Sequence, residues 1–314
     1  MKEMLFSEFL DLKFHPRSKK PRQQGISMVI DSGSSNAEVA GIVESYGHLI
    51  DIAKLLDLNL ELPLNVLKEK IRIYREHDIY VQPGGIIIEL ARLQGKGRQA
   101  LERLHELGFN AIEISSSATT QREIEEEKEF VGITKALNFR VSGEVGKKFP
   151  QGDKSRISDT QLNIEETVRE MKAYLANGAS KVYWEGHVLR RIMGDTASDI
   201  LSRHPAATQE ILKVTSQVGA ENLVFEVSMM PPYAQRRAQQ FWLVRLFGPD
   251  VNIGNIRLNE IQILEHIRLG TWPVFGFGSI GDHPYMQSLE KGNGKASSTW
   301  WKDIPIETTT AGNR

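Results

Sequence analysis

The sequence predicts a single (β/α)8 TIM barrel of the α/β class, and three observations carry this prediction. Short β-type runs alternate with longer amphipathic segments along the chain, a pattern typical of parallel strands joined by helices. Eight such units follow one another, which is the number that closes a barrel. The length of 314 residues also suits one α/β barrel with additional segments.

The strand predictions rest on apolar or alternating runs that end in a turn or helix signal. Among the helical patterns, "PLNVLKEKIRIYREHD" has a proline near its start, and "GRQALERLHELG" ends in the glycine expected just past a helix. An open doubly wound sheet is the competing fold, but the sequence has neither a G-x-G-x-x-G turn nor a Walker-type phosphate loop. The strand runs are ISMVID, HLIDIAKL, IYVQPGG, NAIEIS, FRVSGEV, SKVYWEG, NLVFEVS and VNIGNI.

Composition excludes several functional classes. The formal net charge is −1, so no global field attracts nucleic acid or an anionic membrane. The sequence has no cysteine, which excludes disulfides, thiolate catalysis and cysteine-ligated metals. No secretory signal is recognisable, and no apolar run approaches the roughly 18 residues of a membrane span. We therefore expect a cytoplasmic protein with no nucleic-acid or membrane partner. We also expect it to form a homo-oligomer.

Two segments are expected to lie outside the barrel, which we assign to residues 26–270. Residues 1–25 form a basic, proline-containing arm, which is either a phosphate- or nucleic-acid-seeking tail or, as we favour, a solvated segment leading into the barrel. Residues 271–314 form a partly irregular extension rich in Gly, Ser and Thr. Within it, Trp300 and Trp301 either dock on the barrel or a neighbouring subunit, or are simply tucked into a loop.

Acidic residues recur near the C-terminal ends of the predicted strands, where an α/β barrel carries its chemistry. In "AIEIS", Ile112 and Ile114 share one face and Glu113 takes the other, and "KVYWEG" and "LVFEV" repeat this pattern. If the apolar faces pack on the helices, the carboxylates point to the barrel axis, where buried charges must be paired or bind a cation. The strand ends carry Asp31, Asp51, Lys54, Glu113, Glu144, Lys147, Lys148, Glu185, Glu226, Asn252 and Asn255.

Two interpretations of this set remain open. In one, Glu144, Glu185 and Glu226 form an internal ion-pair ring with Lys54 and Lys148 and take no part in catalysis. In the other, carboxylates and lysines line a water-restricted mouth that binds a hard divalent ion, most simply Mg²⁺. A lysine whose pKa is lowered by burial would then act as a proton donor.

Several stretches resemble successive signatures of the phosphosulfolactate synthase family: GISMVIDSG, YGHLIDIAK, VQPGGIIIELA, LGFNAIEIS, GEVGKK, VFE and VNIGNI. The resemblance covers about residues 5–270, all eight units in order, and PGG and EVGKK are its most specific parts. It implies the same barrel and an enzyme that adds sulfite to phosphoenolpyruvate, a small anionic substrate, with Mg²⁺. A plant branch of the family, the heat-stress-associated 32 kDa proteins, shares the barrel and is associated with heat acclimation.

Carried over by matching motifs, the resemblance implies a role for each strand-end residue. Lys148 is the implied general acid, with Glu144 beside it in the catalytic set. The implied metal ligands are Asp31, Glu113 and Glu185. The implied substrate-binding residues are Lys54, Lys147, His187 and Asn255.

The chain departs from the family pattern at several positions. Catalytic members have lysine where this chain has Ser32, aspartate where it has Ser116, and arginine where it has His187. "LLDLNL" replaces a glycine- and tryptophan-containing run, and "RLGTW" reduces an arginine-rich ending. Three of these changes remove cations, which Arg190, Arg191, Arg236 or Arg237 could replace. Two hypotheses follow: a phosphosulfolactate synthase-like lyase with altered anion contacts, or a barrel without catalysis that acts as a binding or stress-related protein.

Overall fold

Eight parallel strands form one sheet that curls into a barrel, as the sequence predicts, within the residues that the structure describes. The structure is a computed structural model that describes residues 5–14, 17–115, 124–146, 162–194, 196–202, 204–229 and 232–271. The strand order is β3-β2-β1-β8-β7-β6-β5-β4, so β1 pairs with both β2 and β8. The strands are β1 (Ser27–Asp31), β2 (Ile52–Leu55), β3 (Tyr80–Pro83), β4 (Ala111–Ile114), β5 (Arg140–Val145), β6 (Lys181–Trp184), β7 (Leu223–Glu226) and β8 (Ile253–Arg257).

The seam between β3 and β4 is bridged mainly by side chains. Asn110, just before β4, donates its backbone N–H to the carbonyl of Val81 (3.1 Å). Its side-chain oxygen accepts the N–H of the same valine (2.7 Å). Further along the seam, the Gln82 amide donates to Glu113 (3.1 Å). These contacts join the two outer strands of the sheet.

Helices cover the outside of the sheet. As predicted, α3 begins directly after Pro63, and α5 ends at Gly108, whose φ is +100°. Two connections contain more helices than predicted, since β3 is followed by α4 and α5, and β6 by α8, α9 and α10. The helices are α1 (Phe6–Phe9), α2 (Asn36–Tyr46), α3 (Leu64–Arg75), α4 (Gly85–Leu93), α5 (Gly97–Leu107), α6 (Ile124–Ala136), α7 (Ile164–Ala176), α8 (Gly186–Met193), α9 (Ala197–Ser202), α10 (His204–Val218), α11 (Tyr233–Phe247) and α12 (Ile261–Leu269). None of the helices in the described ranges combines the length and the apolar character that a membrane crossing requires.

Two apolar layers determine which face of each strand points to the axis. The larger layer lies between strands and helices, and the smaller cluster fills the barrel interior. Side chains alternate along a strand, so a residue two positions after an interior residue also points inward. Lys54 follows the interior residue Ile52 in this way, and Glu226 follows Val224. The alternation therefore directs charged side chains to the axis at the C-terminal end of the barrel.

The basic arm packs against the N-terminal end of the barrel. Arg22 forms an ion pair with Asp51 (3.0 Å) in which both side chains are 7% exposed, and it donates to the carbonyl of His48 (2.8 Å). Arg17 pairs with Glu265 on α12. The expectation of a solvated segment is therefore wrong for these two arginines. Asp51 precedes β2, so it lies at the opposite end of the barrel from the strand-end acids.

Replacing Arg22 by alanine should destabilise the fold, because Asp51 would stay buried without its charged partner. Breaking a buried pair typically costs about 3–5 kcal/mol, whereas an exposed pair contributes about 0–1 kcal/mol. Urea unfolding of Arg22→Ala tests this against Arg98→Ala, whose side chain is 72% exposed in its pair with Glu102. Equal losses of stability in the two variants would contradict the structural role of the arm.

Candidate active site

Lys54 lies at the axis between glutamates of two other strands. Its Nζ is 2.6 Å from Glu113 Oε2 on β4 and 2.6 Å from Glu226 Oε1 on β7, and each of these side chains is at most 4% exposed. Burial alone lowers the pKa of Lys54, but the surrounding carboxylates outweigh this effect and hold the pKa well above its ordinary value. Lys54 is therefore a fixed positive charge at neutral pH.

A third glutamate, Glu144 on β5, completes a cluster that we call the acidic triad: Glu113, Glu144 and Glu226. One carboxylate oxygen from each lies within 4.8 Å of the others, and all three residues are buried. The carboxylates of the triad outnumber the ammonium of Lys54 by two, so one divalent cation would balance the charge. Carboxylate oxygen is also the ligand that hard cations prefer. The donor set therefore fits such an ion.

Neutral side chains of β3 and β6 support the triad. Gln82 donates its amide N–H to Glu113 (3.1 Å) and accepts the hydroxyl proton of Tyr183 (2.9 Å). The Tyr183 ring centroid lies 5.4 Å from Lys54 Nζ, a favourable cation–π arrangement. Burial raises the pKa of Tyr183 to about 12, so the hydroxyl remains a donor. Neither Gln82 nor Tyr183 was predicted as a site residue, although the alternation of each with outward-facing apolar residues was a signal.

Two glycines of the most specific motifs lie where a side chain would not fit. A Cβ on Gly85, the second glycine of PGG, would stand 2.5 Å from Glu113 Oε1. Gly146 of EVGKK has a φ of +126°, and a Cβ there would stand 2.8 Å from atoms of both Glu185 and Val188. The first glycine lets α4 start directly against the triad, and the second lets the end of β5 approach α8. Close packing around the site thus accounts for these motifs.

Asp31, predicted as a metal ligand, lies on the opposite face of β1. Its carboxylate is 3.2 Å from Lys70 Nζ on α3 and accepts the hydroxyl of Tyr74 (3.1 Å). It also accepts the backbone N–H groups of Gly33 and Ser34 (2.9 Å each). Strand alternation turns Asp31 towards the helix layer, so the structure does not bring it into the triad. Instead, it fixes the loop that follows β1.

Glu185, another predicted metal ligand, caps a helix. Its Oε2 accepts the backbone N–H of His187 (2.7 Å) and of Val188 (3.3 Å) at the N-terminus of α8. A carboxylate in this position satisfies donors that the helix leaves unpaired and interacts favourably with its dipole. His187 lies in the first turn of the same helix. Among the described residues, Glu226, which was not among the predicted metal ligands, joins Glu113 and Glu144 in the triad, and Glu185 does not.

Asn255, predicted to bind substrate, lies in β8 one residue after the partner of Glu226. Its φ of +56° is a left-handed conformation that asparagine tolerates better than most residues. Its carbonyl accepts from Arg236 Nη2 (2.7 Å). Arg236 is fully buried and is held by Glu260 (2.6 Å), so this arginine does not act as a replacement cation at the mouth.

Three positions singled out in the sequence fall outside the described residues: Ser116, Lys147 and Lys148. Lys147 and Lys148 follow Gly146 at the end of β5 in the sequence. Their implied roles stay predictions. The same holds for Trp300 and Trp301, which also lie outside the described ranges.

Comparison with known proteins decides the family. The sequence profile of the (2R)-phospho-3-sulfolactate synthase (ComA) family matches residues 15–273, which is most of the chain. The chain belongs to this family. The match begins within the basic arm and extends past α12, so it includes every strand of the barrel and the whole acidic triad.

Relatives of this ComA family member are divergent but similar over nearly their full length. The chain is 33% identical to a phosphosulfolactate synthase of Methanothermobacter thermautotrophicus over 256 residues, which is 81% of this chain and 92% of the relative. It is 30% identical over 250 residues to that of Methanocaldococcus jannaschii, with 79% and 92% covered. A phosphosulfolactate synthase of Bacillus subtilis is 28% identical over 261 residues, with 82% and 95% covered.

Replacing Lys54 by methionine should destabilise this ComA-family barrel, because the acidic triad would lose the cation at its centre. Removing one partner of a buried ion pair typically costs about 3–5 kcal/mol. The loss should shrink as the pH falls. Without Lys54, the three buried carboxylates repel one another, so protonation relieves the folded variant more than the unfolded chain.

Urea unfolding at several pH values measures this dependence, with Lys68→Met, an exposed lysine on α3, as the control. A loss in Lys54→Met that is no larger than in the control, or that does not change with pH, would show that the triad does not depend on this cation.

Proposed function

We propose that this protein is a phosphosulfolactate synthase-like lyase that adds a nucleophile to phosphoenolpyruvate or a related enol phosphate, with sulfite as the reference nucleophile. The observation that carries the proposal is the acidic triad around Lys54 at the C-terminal end of the barrel. Barrels of this type carry their active sites at that end. Membership of the ComA family supports the same reaction class.

We assign Mg²⁺ to the acidic triad, with substrate oxygens completing its coordination. Mg²⁺ is usually held by one or two carboxylates together with substrate groups, and the triad offers three. Asp31 and Glu185 are withdrawn from the metal set because each of their carboxylates is used elsewhere. When bound, the ion would act as a Lewis acid for the negative charge that develops on the substrate carboxylate.

Lys54 is assigned to the same carboxylate of the substrate. An ammonium group has three donors, and Lys54 directs two of them to Glu113 and Glu226. The third is assigned to a substrate oxygen, and Lys147 is assigned to a second anionic group. Since Lys54 stays protonated, its contribution is electrostatic, and the proton that the reaction requires comes from another residue.

Lys148 is proposed as that proton donor. Attack of sulfite on the methylene carbon forms a carbon–sulfur bond and breaks the π bond of the enol phosphate, whose electron pair moves towards the carboxylate. The carbon that bears the phosphate then takes a proton, which Lys148 supplies. Glu144 belongs to the triad and lies four residues before Lys148 in the sequence, so we assign it to keeping this lysine near the reacting carbon.

The second candidate function is a barrel without catalysis that serves as a binding or stress-related protein. Ser32 and His187 favour it, because both stand where catalytic members are expected to carry cations. Arg236, a candidate replacement, is bound to Glu260. Turnover separates the two functions, since the second requires its absence.

We also propose that the protein is cytoplasmic and forms a homo-oligomer. The lack of cysteine fits a reducing compartment. Phe6 and Phe9 on α1 are 76% and 73% exposed, and adjacent exposed aromatic residues are typical of surfaces that bind other proteins. Light scattering on the purified chain tests the second statement, which a monomer mass at all concentrations would refute.

Replacing Lys148 by alanine should reduce turnover of phosphoenolpyruvate and sulfite by about 10²- to 10⁴-fold, the usual contribution of a general acid. Product formation with Mg²⁺ is measured for the native protein, for Lys148→Ala and for Lys68→Ala, an exposed control. The control should keep native turnover. If the native protein turns over and Lys148→Ala matches it, the proton comes from another group.

Replacing Glu144 by glutamine should weaken the stabilisation that Mg²⁺ and phosphoenolpyruvate provide together. A ligand at about 100 times its dissociation constant stabilises the fold by about 2.7 kcal/mol. Thermal unfolding with each ligand and with both compares Glu144→Gln with Glu102→Gln, an exposed control. Chelation of the metal should remove the stabilisation in the native protein. Stabilisation that survives chelation or is unchanged in Glu144→Gln would argue against the triad as the metal site.

A further inference from the structure

The ends of β7 and β8 carry buried polar groups that the interactions around the triad do not use. Ser228 is 1% exposed, and its hydroxyl has no hydrogen-bond partner in the part of the chain that the structure describes. Gln239 on α11 accepts the backbone N–H of Ser228 (3.2 Å), while its amide nitrogen has no partner among the described residues. Buried polar groups are nearly always hydrogen-bonded, so two unpartnered donors side by side point to a ligand.

Ser228 lies just beyond the C-terminal end of β7. The strand ends at Glu226, which points to the axis, and Ser228 follows two residues later. Ser228 therefore lies at the same end of the barrel as the acidic triad.

The ion pair between Arg236 and Glu260 holds the ends of β7 and β8 side by side. Arg236 donates to the carbonyl of Ser228 (2.5 Å) and to that of Asn255 (2.7 Å). Its position is set by Glu260, which accepts from both Nε and Nη2 of the guanidinium. The backbone around Ser228 is thus preorganised, which lowers the entropic cost of binding a ligand there.

Arg257, the last residue of β8, adds a cation to this corner. Its Nη2 donates to the carbonyl of Met229 (3.0 Å), the residue after Ser228. Its guanidinium lies 5.1 Å from the ring centroid of Tyr233, and that of Arg237 lies 5.6 Å from the same ring. Within the described ranges, the guanidinium of Arg257 has no carboxylate partner. It is half-buried, and the remaining donors of its planar fork suit a tetrahedral anion.

Charge explains why an anionic group would bind here and not at the triad. The triad carries an excess of negative charge over Lys54, so it repels an anion unless a metal ion is bound. Arg257 lies three residues beyond Gly254, which pairs with Glu226. Fully extended, three residues would span on the order of 10 Å, and the left-handed conformation of Asn255 shortens this backbone distance. Loops after the seventh and eighth strands are also a frequent phosphate site in barrels of this type.

We propose that Ser228, Gln239 and Arg257 form the subsite for the phosphate group of the substrate, a phosphate monoester dianion, next to the acidic triad. This assignment rests on the proposed function, because it places the phosphate of an enol phosphate at the rim and its carboxylate at the axis. Asn255 Oδ1, a buried acceptor at the same corner, suits a hydroxyl or water beside the anion.

The test measures binding by calorimetry to the full chain, with Mg²⁺, for three probes: inorganic phosphate, phosphoenolpyruvate and pyruvate. Arg257→Gln should weaken binding of the two phosphate-bearing probes by about 10- to 100-fold, the range for a lost charge-assisted contact. Arg257→Lys should be intermediate, because it keeps the charge and loses the fork. Pyruvate, which has no phosphate, should bind all variants equally. Arg98→Gln, an exposed arginine on α5, is the matched control.

Ser228→Ala separates a ligand role from a structural one. The hydroxyl has no partner among the described residues, so its removal should leave the urea midpoint unchanged and still weaken phosphate binding by about 2- to 12-fold. No phosphate binding by the native chain, or unchanged phosphate affinity in Arg257→Gln, Arg257→Lys and Ser228→Ala, would overturn the subsite. So would an equal loss for pyruvate.

Turnover distinguishes failure of the subsite from failure of the reaction. If the native chain converts phosphoenolpyruvate and sulfite while Arg257→Gln keeps the native KM, the reaction stands and the subsite is wrong. If the native chain binds phosphate but shows no turnover, and Arg257→Gln binds phosphate more weakly, the subsite stands and the proposed reaction is wrong.

Discussion

The contact of Lys54 with Glu113 and Glu226 is the interaction on which the mouth of the barrel depends. Each of these charges would cost several kcal/mol to bury alone, and together they join β2 to β4 and β7 across the barrel interior. Gln82 and Tyr183 fix one glutamate and one face of the lysine. The end of each contributing strand is thereby constrained by a side chain of another strand.

Four cations near the mouth of the barrel differ in what holds them. Lys54, Lys70 and Arg236 are buried, and each is held by at least one carboxylate. Lys70 and Arg236 shape the site but have little capacity left for an anionic substrate, whereas Lys54 keeps one donor beyond its two glutamate contacts. Arg257, at the rim, contacts a carbonyl and an aromatic ring instead. The buried ion pairs of Lys54, Lys70 and Arg236 do not depend on Arg257. The residues that contact the anionic groups of a substrate can therefore differ between family members that share these ion pairs.

The alternation of strand and helix patterns predicted the barrel. The alternation of side chains along each strand predicted the inward direction of Glu113 and Glu226, because it is a local property of the strand. Side-chain alternation did not predict the direction of Asp31. The sequence does not show which face of the strand binds this acid, and here its partner is Lys70 on the neighbouring helix. The direction of Glu185 could not be predicted for a related reason. It lies just past its strand, where the start of α8 and not the pleat sets its direction. A partner distant in sequence fixes Asp31, whereas the start of the following helix fixes Glu185.

Charge balance at the axis also sets an order of events for the proposed reaction. A triad with an excess of two negative charges, facing a phosphate dianion about 10 Å away, repels it by between about 2 and about 7 kcal/mol for effective dielectric constants of 80 to 20. That repulsion is comparable to the attraction that one or two charge-assisted contacts at the rim provide. A divalent cation at the triad removes most of it. Metal binding should therefore precede substrate binding, because without the metal the acidic triad repels the phosphate group that Arg257 at the rim attracts.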